Sequence, residues 1–315
     1  MISRISLTTP KSKIKISTPN SKIIISSFFP SKFKKHYDFK QSNNEFPNSN
    51  PKAYSWVSIH IKARCIFSAA EIALGELNYY LGIINLFYNR NSSRESFGKP
   101  SAINKIRKYP YHSLHLTDGS RATPMYWYEK SFCEIGSSQN NDQQFKEINK
   151  LYRELTKDII KTKRYNFFQS VFDRYTEALE NNDMTKSFLN LWSILETLTL
   201  TEKNNYDTTI KRTLILFRDK FLCEQKLNLL RNKRNMSIHT GKQHKESEKL
   251  TYMLMNFVNE YIFFMVNVMK ITNNDEIIKT ILELPPEKEK IKQIEIESKE
   301  TIKNLDILRS LINLS

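Results

Sequence analysis

Glycine is scarce in this sequence, at 6 residues in 315, whereas an average protein contains about 7%. Neither a GxGxxG nor a GxxxxGK[ST] segment occurs. Such glycine-rich turns let the backbone approach the phosphates of a bound nucleotide. Their absence therefore disfavours a dinucleotide-binding fold and a P-loop ATPase.

Cysteine is also rare. Cys65, Cys133 and Cys223 are far apart in the sequence and none belongs to a CxxC pair. No histidine stands at zinc-finger spacing from them, and no cluster of Asp, Glu and His has the pattern of a metal site. We expect reduced thiols, no metal and no cofactor.

Long apolar runs are missing as well. Lysines and an arginine interrupt the apolar residues of segment 1–16, so no signal-peptide core forms there. The most apolar later run, residues 261–269, is shorter than the roughly 20 residues that cross a bilayer. We expect a soluble, cytoplasmic protein with no membrane partner.

Positive charge, in contrast, is abundant. The chain has 49 Lys and Arg residues against 33 Asp and Glu residues, a net charge of +16, and a pI near 9.5. The excess lies in residues 1–270, whereas residues 271–315 are slightly acidic. A basic protein of this kind favours polyanionic partners, either nucleic acid or an anionic membrane surface.

The distribution of helix breakers predicts a helical second half. Residues 125–284 contain no proline and only two glycines, Gly136 and Gly241, so this stretch can form long helices. Apolar residues recur there at steps of three and four, which predicts a four-to-five-helix bundle. The predicted helices span residues 143–180, 184–201, 207–238 with a break, and 245–271.

The first half of the sequence is predicted to combine a strand with a helix and loops. Alternating apolar and polar residues predict a strand at 54–67, and three- and four-residue apolar spacing predicts a helix at 68–89. Residues 90–140 are predicted to be rich in loops. Segment 1–50 reads as a basic, partly disordered arm with a β-like run at 23–29.

These patterns predict a mainly α protein with four parts. An arm at 1–50 precedes a small α+β domain at 51–140, which we interpret as a sensor or substrate-positioning domain. The helical bundle occupies 141–272. A charged C-terminal helix lies within 273–315, and it either packs on the bundle or serves a partner helix. Among the apolar residues that it carries are Ile291, Ile294, Leu305, Leu308 and Ile312.

The segment 226–241, KLNLLRNKRNMSIHTG, carries the candidate chemistry. Arg234 and Asn235 are followed by His239 in an R-N-x3-H arrangement. On a helix Asn235 and His239 are neighbours on one face, and Arg231 lies one turn before Asn235. Arginine, amide and imidazole can then converge on one anionic group. Gly241 stands where the helix is expected to end with a left-handed cap.

Spacing alone is weak evidence, since chance gives roughly 0.27 Arg–His pairs at any one spacing in a chain of this composition. Arg107 and His112 indeed have the same spacing. Pro110 lies between them, so this decoy pair cannot share a continuous helix, and we expect a loop there.

The surrounding residues make the motif more specific. Arg174 with Ala178-Leu179 precedes Phe188, Leu191-Trp192 and Leu195-Glu196, an F-x-x-LW-x-x-LE pattern, and the R-N-x3-H motif follows. This combination resembles the HEPN superfamily, specifically its Apea-like branch, over about residues 165–270.

The resemblance implies a HEPN-type helical bundle that forms a homodimer, with two R-N-x3-H motifs facing one another in a composite RNA-cleaving site. It implies a metal-independent endoribonuclease, acting as a toxin or effector in anti-phage (abortive infection) defence. The implied partners are RNA, with tRNA among the candidates, and a phage trigger or a cognate antitoxin. The alternative is a catalytically silent HEPN protein that binds nucleic acid or a partner protein.

Site residues follow from the motif and its neighbours. Arg234, Asn235 and His239 are the catalytic candidates. Glu196, one turn after Trp192, has Arg231 or Arg234 as candidate partner; it either orients the motif, forms a structural ion pair or is simply exposed. Arg231 is either a supporting residue or a surface arginine. Three lysines are candidates for RNA-backbone contact, with a solvated loop as the alternative for the last two: Lys233, Lys242 and Lys245.

Overall fold

The structure is a computed structural model and describes residues 1–7, 13–37, 54–90, 102–129, 142–202, 205–240, 246–285 and 288–312. It is mainly helical, with an antiparallel sheet on the N-terminal side. The mainly α class that the sequence predicts is therefore confirmed.

Six strands form one sheet in the order β2-β3-β4-β1-β5-β6, and every neighbouring pair is antiparallel. The strands are β1 Ile2–Ile5, β2 Ile14–Ser17, β3 Ser21–Ser26, β4 Ser55–Ile61, β5 Tyr111–His115 and β6 Arg121–Tyr128.

Three of these strands come from the described part of residues 1–37, so the arm predicted at 1–50 is wrong for these strands. Strand β1 lies inside the sheet, where Ile2 pairs with Ser58 of β4 and with Ser113 of β5. A strand of four residues has too few positions to show a periodic pattern, and its partners are distant in the sequence. Residues 8–12 and 38–50 lie outside the described residues.

The strand predicted at 54–67 is correct only as far as Ile61, because Ile66 and Phe67 already belong to the following helix. The predicted loop at 90–140 contains β5 and β6 in its described part. His112 of the decoy pair lies in β5 and Arg107 precedes it, so the pair is not helical, although a strand replaces the expected loop.

The helices agree with the predicted spans except at two places. The expected helix 143–180 is divided at residues 162–164, where Lys163 has a φ of 58°, and a short helix at 275–283 was not expected. The helices are α1 Ile66–Arg90, α2 Asp142–Lys161, α3 Tyr165–Glu180, α4 Met184–Leu198, α5 Tyr206–Thr213, α6 Lys220–Thr240, α7 Ser247–Ile271, α8 Asp275–Glu283 and α9 Lys288–Ile312.

The break between α2 and α3 is made by polar side chains. The Thr162 hydroxyl donates to the Ile159 carbonyl, and the Arg164 N–H donates to the Thr162 hydroxyl. The Arg164 guanidinium also pairs with Asp275 at 2.6 Å. These contacts substitute for the proline or glycine that normally reveals a helix end in a sequence.

Helix α1 joins the sheet to the helices. It contacts α2, α3 and α7, and α4 completes the helical bundle by packing on α3 and α7. Its other side contacts β3 and β4. One apolar core runs from Val57 and Ile59 of the sheet through Leu77 and Leu81 to Phe172. The division into separately folding domains at residue 140 stays a prediction. Within the described ranges, no helix is long and apolar enough to span a membrane.

A buried carboxylate ties the β2–β3 turn and α3 to α1. Glu76 is 1% exposed and accepts hydrogen bonds from Thr18 and Ser21 at the β2–β3 turn, at 2.6 and 2.9 Å. It also accepts from the Tyr165 hydroxyl at the start of α3, at 2.9 Å. Because a buried carboxylate needs such donors, these bonds fix the turn and α3 relative to α1.

A buried cation connects the segment before β5 to α1 and α3. Lys108 is 3% exposed, and its ammonium lies 2.5 Å from Asn78 Oδ1, 3.2 Å from Glu180 Oε2 and 3.4 Å from Glu129 Oε1. Burial would lower the pKa of Lys108, but the charges of Glu180 and Glu129 outweigh it and raise that pKa. Burial would likewise raise the pKa of Glu129, but the charge of Lys108 and contact with His112 lower it to about 2.

We expect Glu129→Gln to reduce the free energy of unfolding near pH 7, because it leaves the buried ammonium of Lys108 with one carboxylate fewer. The pKa of Glu129 lies below its ordinary value of 4.5 in the folded chain. Its stabilisation is therefore complete above about pH 4.5 and is lost as the pH falls towards 2. Chemical denaturation near pH 7 and near pH 3 measures this. The difference in the free energy of unfolding between variant and wild type should be smaller at the lower pH. A gap of equal size at both pH values would contradict the assignment.

Candidate functional site

Helix α6 carries the R-N-x3-H motif. The predicted break before it is confirmed, since a 3-10 turn at Leu214–Leu216 separates α5 from α6. The helix buries Leu227, Leu230 and Ser237 on one side and continues to residue 240. Asn235 and position 239 are therefore one turn apart on a continuous helix, as predicted.

Arg234 is the motif residue whose surroundings the structure defines best. Its guanidinium carbon lies 4.5 Å from the centre of the Tyr206 ring, the geometry of a cation–π contact. The side chain is half-buried. Among the described residues it has neither a carboxylate partner nor a hydrogen bond, so its N–H donors are not occupied by a neighbour there.

Behind Tyr206 lies the tryptophan of the LW-x-x-LE segment. The rings of Trp192 and Tyr206 meet edge to face at 6.2 Å between centres, and Trp192 is 1% exposed. The buried face of α4 thus supports Tyr206, and Tyr206 supports Arg234. Aromatic contacts of this kind contribute about 0.5–1.5 kcal/mol beyond the area they bury.

Glu196 accepts a hydrogen bond from the indole nitrogen of Trp192 at 2.9 Å. The expectation that Arg231 or Arg234 pairs with Glu196 is wrong for the described residues. A carboxylate one turn after the tryptophan on the same helix reaches the indole N–H directly, so the need for a partner is met within α4. Glu196 fixes the orientation of Trp192, and any effect on Arg234 passes through the two rings.

Arg231 forms an ion pair with Asp207 at 2.6 Å. The Asp207 side chain is 88% exposed, and an ion pair this exposed contributes about 0–1 kcal/mol. Since Asp207 follows Tyr206, the pair joins the start of α5 to α6 beside the Arg234 contact. Arg231 thus has a structural contact next to the motif, and its guanidinium is already engaged.

Arg212 anchors α5. It is 6% exposed and donates to the carbonyls of Thr199 and Leu200 at the end of α4, at 2.9 and 2.8 Å. It also contacts Glu283 of α8 at 2.5 Å, and this hydrogen bond and the charge of Arg212 lower the pKa of Glu283. These contacts hold α5, and with it Tyr206, against the end of α4.

Arg174, the arginine of the resemblance, belongs to α3, and its guanidinium contacts α4. It donates to Thr197 Oγ1 at 3.0 Å and to Ser193 Oγ at 2.6 Å. It therefore fixes the packing of the helix that carries Trp192 and Glu196, at a distance along the chain from the motif helix.

The lysines expected to contact RNA are not all available. Lys233 is 3% exposed, and burial lowers its pKa. A side chain this deeply buried does not offer its ammonium to a polyanion, so the RNA contact predicted for Lys233 is wrong in this structure. Lys242, Lys245 and Gly241 lie outside the described residues, as does the side chain of His239.

Sequence reasoning missed Tyr206 and Arg212. Tyr206 follows a polar gap and belongs to no apolar periodicity, and no spacing relates it to Trp192 or Arg234. Arg212 reads as one of many exposed basic residues. Only the packing of three helices brings them to the site.

The arrangement suits recognition of a phosphate. A guanidinium held by its face on an aromatic ring keeps its edge donors in a fixed fork, which matches two phosphate oxygens. Within the described parts of the chain, no three His, Cys, Asp or Glu side chains come close enough together to hold a metal ion.

The hydrogen bond between Trp192 and Glu196 gives a direct test of this support. Glu196→Gln retains an acceptor, so we expect it to change the free energy of unfolding by less than about 0.5 kcal/mol. Glu196→Leu leaves the indole N–H without its acceptor, which costs about 1–3 kcal/mol. Urea denaturation of both variants measures the difference, and equal stabilities would show that the bond does not support the fold.

Comparison of the chain with protein-family models, with curated proteins and with solved structures found no match.

Proposed function

We propose that the chain is a HEPN-type, metal-independent endoribonuclease that acts as a homodimer. One observation carries the proposal: Arg234 of the R-N-x3-H motif rests on Tyr206 and is half-buried. Within the described residues no carboxylate neutralises it. An arginine that is fixed in position but not paired retains its charge for a substrate phosphate.

The proposed reaction uses the nucleophile that RNA itself supplies. His239 accepts the proton of the 2′-OH, and the 2′ oxygen forms a bond to the adjacent phosphorus. The bond from phosphorus to the 5′ oxygen breaks, and that oxygen takes up a proton from an imidazolium. The products are a 2′,3′-cyclic phosphate and a 5′-OH end. No group in this scheme requires a metal or a cofactor.

Each motif residue has one role in this scheme. Arg234 contacts two phosphate oxygens and stabilises the charge that develops on them in the transition state. Histidine, with an ordinary pKa near 6.5, exchanges protons at neutral pH. Asn235, one turn before His239, orients the imidazole or contacts the phosphate. In the homodimer the motifs of the two copies face one another across the dimer interface. One histidine then serves as base and the other as acid.

The biological role we propose is a toxin or effector of anti-phage defence. A basic chain attracts RNA along its surface, and tRNA is a candidate substrate. A nuclease of this kind needs control in the cell, by a phage trigger or by a cognate antitoxin. Residues 51–140, with the sheet, are the candidate sensor or substrate-positioning part.

Cleavage in the presence of EDTA tests the catalytic set. We expect wild type to cut total RNA or tRNA, and His239→Ala and Arg234→Ala to lower the rate by about 100-fold or more, since each removes a transition-state contact. Exposed residues of the same types provide the controls, His60→Ala and Arg218→Ala, and these should remain within about twofold of wild type.

The same variants are to be compared in cells during phage infection, because a nuclease held inactive cuts only after its trigger. Growth arrest that both motif variants abolish and both control variants retain supports the proposal. Cleavage or growth arrest that persists at the wild-type level in His239→Ala contradicts it.

Tyr206 tests how Arg234 is positioned. Tyr206→Phe keeps the ring and Tyr206→Leu removes it, so we expect leucine alone to lower kcat, by about 3- to 10-fold, the value of a partly exposed cation–π contact. KM should change less than kcat if the ring aligns Arg234 for the transition state. Steady-state kinetics on a short RNA measures this, and equal activity of the two variants would show that the Tyr206 ring does not position Arg234.

A second function is supported by a different surface. Helix α2 exposes a row of basic side chains at steps of three and four residues: Lys146, Lys150, Arg153, Lys157 and Lys161. Such a row of positive charges can bind a nucleic-acid backbone without catalysing a reaction. A silent HEPN protein would show salt-sensitive RNA binding that Arg234→Ala and His239→Ala leave unchanged, together with no cleavage.

A further inference from the structure

A cavity of about 530 Å³ lies where β4 leads into α1, and we call it the β4–α1 cavity. It is bounded by the end of β4, the first turn of α1, the end of β5 and the 3-10 turn Ser31–Phe33. Small-molecule sites commonly have volumes of about 300–1,000 Å³. The described residues that line this cavity belong to the sheet, its turns and α1, so the cavity is separate from the motif helix α6.

One side of the cavity is apolar. Ile59 of β4 and Leu114 of β5 are buried at 2% and 3% exposure. Ile61, Ile66 and Ala69 also line the cavity and are only half-buried. Half-buried apolar side chains around an open volume bury further surface when a ligand enters. This wall therefore favours a ligand with an apolar part.

The other side of the cavity is positive. Lys32 and Arg64 line it, and Lys22 of β3 stands opposite His60 in the register of β3 and β4. Burial lowers the pKa of His60, and the nearby charges of Lys32 and Lys22 add to this effect. His60 is therefore neutral near pH 7, and the positive charge of this side comes from the lysines and the arginine.

No carboxylate balances these cations within the described chain. None of the described residues that line the cavity is Asp or Glu, and Lys22, Lys32 and Arg64 form no ion pair with a described residue. The buried cations Lys108 and Arg212 differ, since each contacts a carboxylate. The first turn of α1 also contains no acidic side chain, and a helix N-terminus favours negative charge. The positive side is thus open to an anion.

Two hydroxyl groups in the cavity lack a hydrogen-bond partner among the described residues. They belong to Ser58 and Thr117, which both line the cavity. Ser58 is 4% exposed, and a hydroxyl this deeply placed normally has a partner. A ligand whose apolar part carries hydrogen-bonding atoms fits these groups better than a hydrocarbon chain does.

We propose that the β4–α1 cavity binds a mononucleotide, with its base on the apolar wall and its phosphate at Lys32 and Arg64. A phosphate monoester carries about −1.5 to −2 charges at pH 7, which suits a group of cations better than a single carboxylate does. The base supplies a flat apolar surface, and its ring nitrogens and exocyclic groups pair with the hydroxyls of Ser58 and Thr117.

This inference goes beyond the proposed function, because binding in the cavity requires neither RNA cleavage nor the R-N-x3-H motif. It assigns a ligand class to the N-terminal part of the chain. Free nucleotide and the RNA substrate then bind to different elements, the sheet end and helix α6.

Titration calorimetry of the full chain tests the site. The probes are AMP, GMP, CMP and UMP, the corresponding nucleosides, inorganic phosphate and decanoate. We expect at least one nucleotide to bind with a Kd of about 10–100 µM. Its nucleoside, inorganic phosphate and decanoate should each bind at least about tenfold more weakly, because each lacks one part of the ligand. Absence of nucleotide binding would overturn the site, and decanoate binding as tight as that of the nucleotide would overturn the ligand class.

Matched variants locate the bound nucleotide. Lys32→Ala and Arg64→Ala each remove an exposed cation that lines the cavity, whereas Lys34→Ala and Lys62→Ala remove exposed cations two residues away that do not line it. We expect the Kd to rise about tenfold in each of the first pair and to stay within about twofold in each of the second. Equal effects in the two pairs would show binding to surface charge in general and would overturn the assignment.

Ser58→Ala tests the contact with the base. It removes the hydroxyl and little volume, so we expect the Kd of the nucleotide to rise about 2- to 10-fold and that of inorganic phosphate to stay the same. An unchanged nucleotide Kd in a folded variant would overturn the placement of the base. The exposed Lys32 and Arg64 variants decide the site itself even where Ser58→Ala does not fold.

The result is separable from the fate of the proposed nuclease. Nucleotide binding that persists in Arg234→Ala and is weakened in Lys32→Ala supports the cavity, even in a chain that never cleaves RNA. Binding that Arg234→Ala abolishes and Lys32→Ala retains would place the nucleotide at the motif and overturn the cavity. A chain that cleaves RNA but binds no mononucleotide rejects the cavity alone.

Discussion

Helices α1 and α3 approach each other closely, and this contact holds the helical bundle against the sheet. A Cβ atom at Gly82 would lie 2.8 Å from the Phe172 carbonyl oxygen and 2.9 Å from Thr176 Oγ1, so only glycine fits without displacing backbone. At the same contact the Thr176 hydroxyl donates to the Asn78 carbonyl at 2.7 Å, and the Asn78 amide donates to Asp173 at 2.7 Å. Because α1 is covered by the sheet on its other side, this contact fixes the bundle relative to the sheet.

The candidate site depends on that packing indirectly, through α3 and α4. Arg174 of α3 holds α4 through Ser193 and Thr197, and α4 buries Trp192, on which Tyr206 and then Arg234 rest. Most of the stabilisation in this set of contacts comes from the burial of apolar surface. The polar contacts mainly select one arrangement of the rings. The face of the Arg234 guanidinium rests on the Tyr206 ring, and its edge N–H groups stay available among the described residues. Binding a phosphate requires this property.

Periodicity predicted most of the helices well, because three- and four-residue apolar spacing is local information that each helix carries itself. It could not reveal β1, whose pairing partners lie far along the chain, or the turn at 162–164, which is made by Thr162 and Arg164 without glycine or proline. At the site, the helical placement of Arg234 and Asn235 followed from sequence. The burial of Lys233, the bond from Trp192 to Glu196 and the ring of Tyr206 did not, since each depends on which face of a helix meets which neighbour.

The chemical identity of the RNA ends that the chain produces distinguishes the proposed reaction from other routes of RNA cleavage. With excess EDTA and a short defined RNA, we expect a 2′,3′-cyclic phosphate on one fragment and a 5′-OH on the other, read by mass spectrometry. A substrate with a 2′-O-methyl group at the cleaved position should then resist cleavage, because the nucleophile is blocked. Fragments ending in 3′-OH and 5′-phosphate, or cleavage of the methylated RNA, would contradict it.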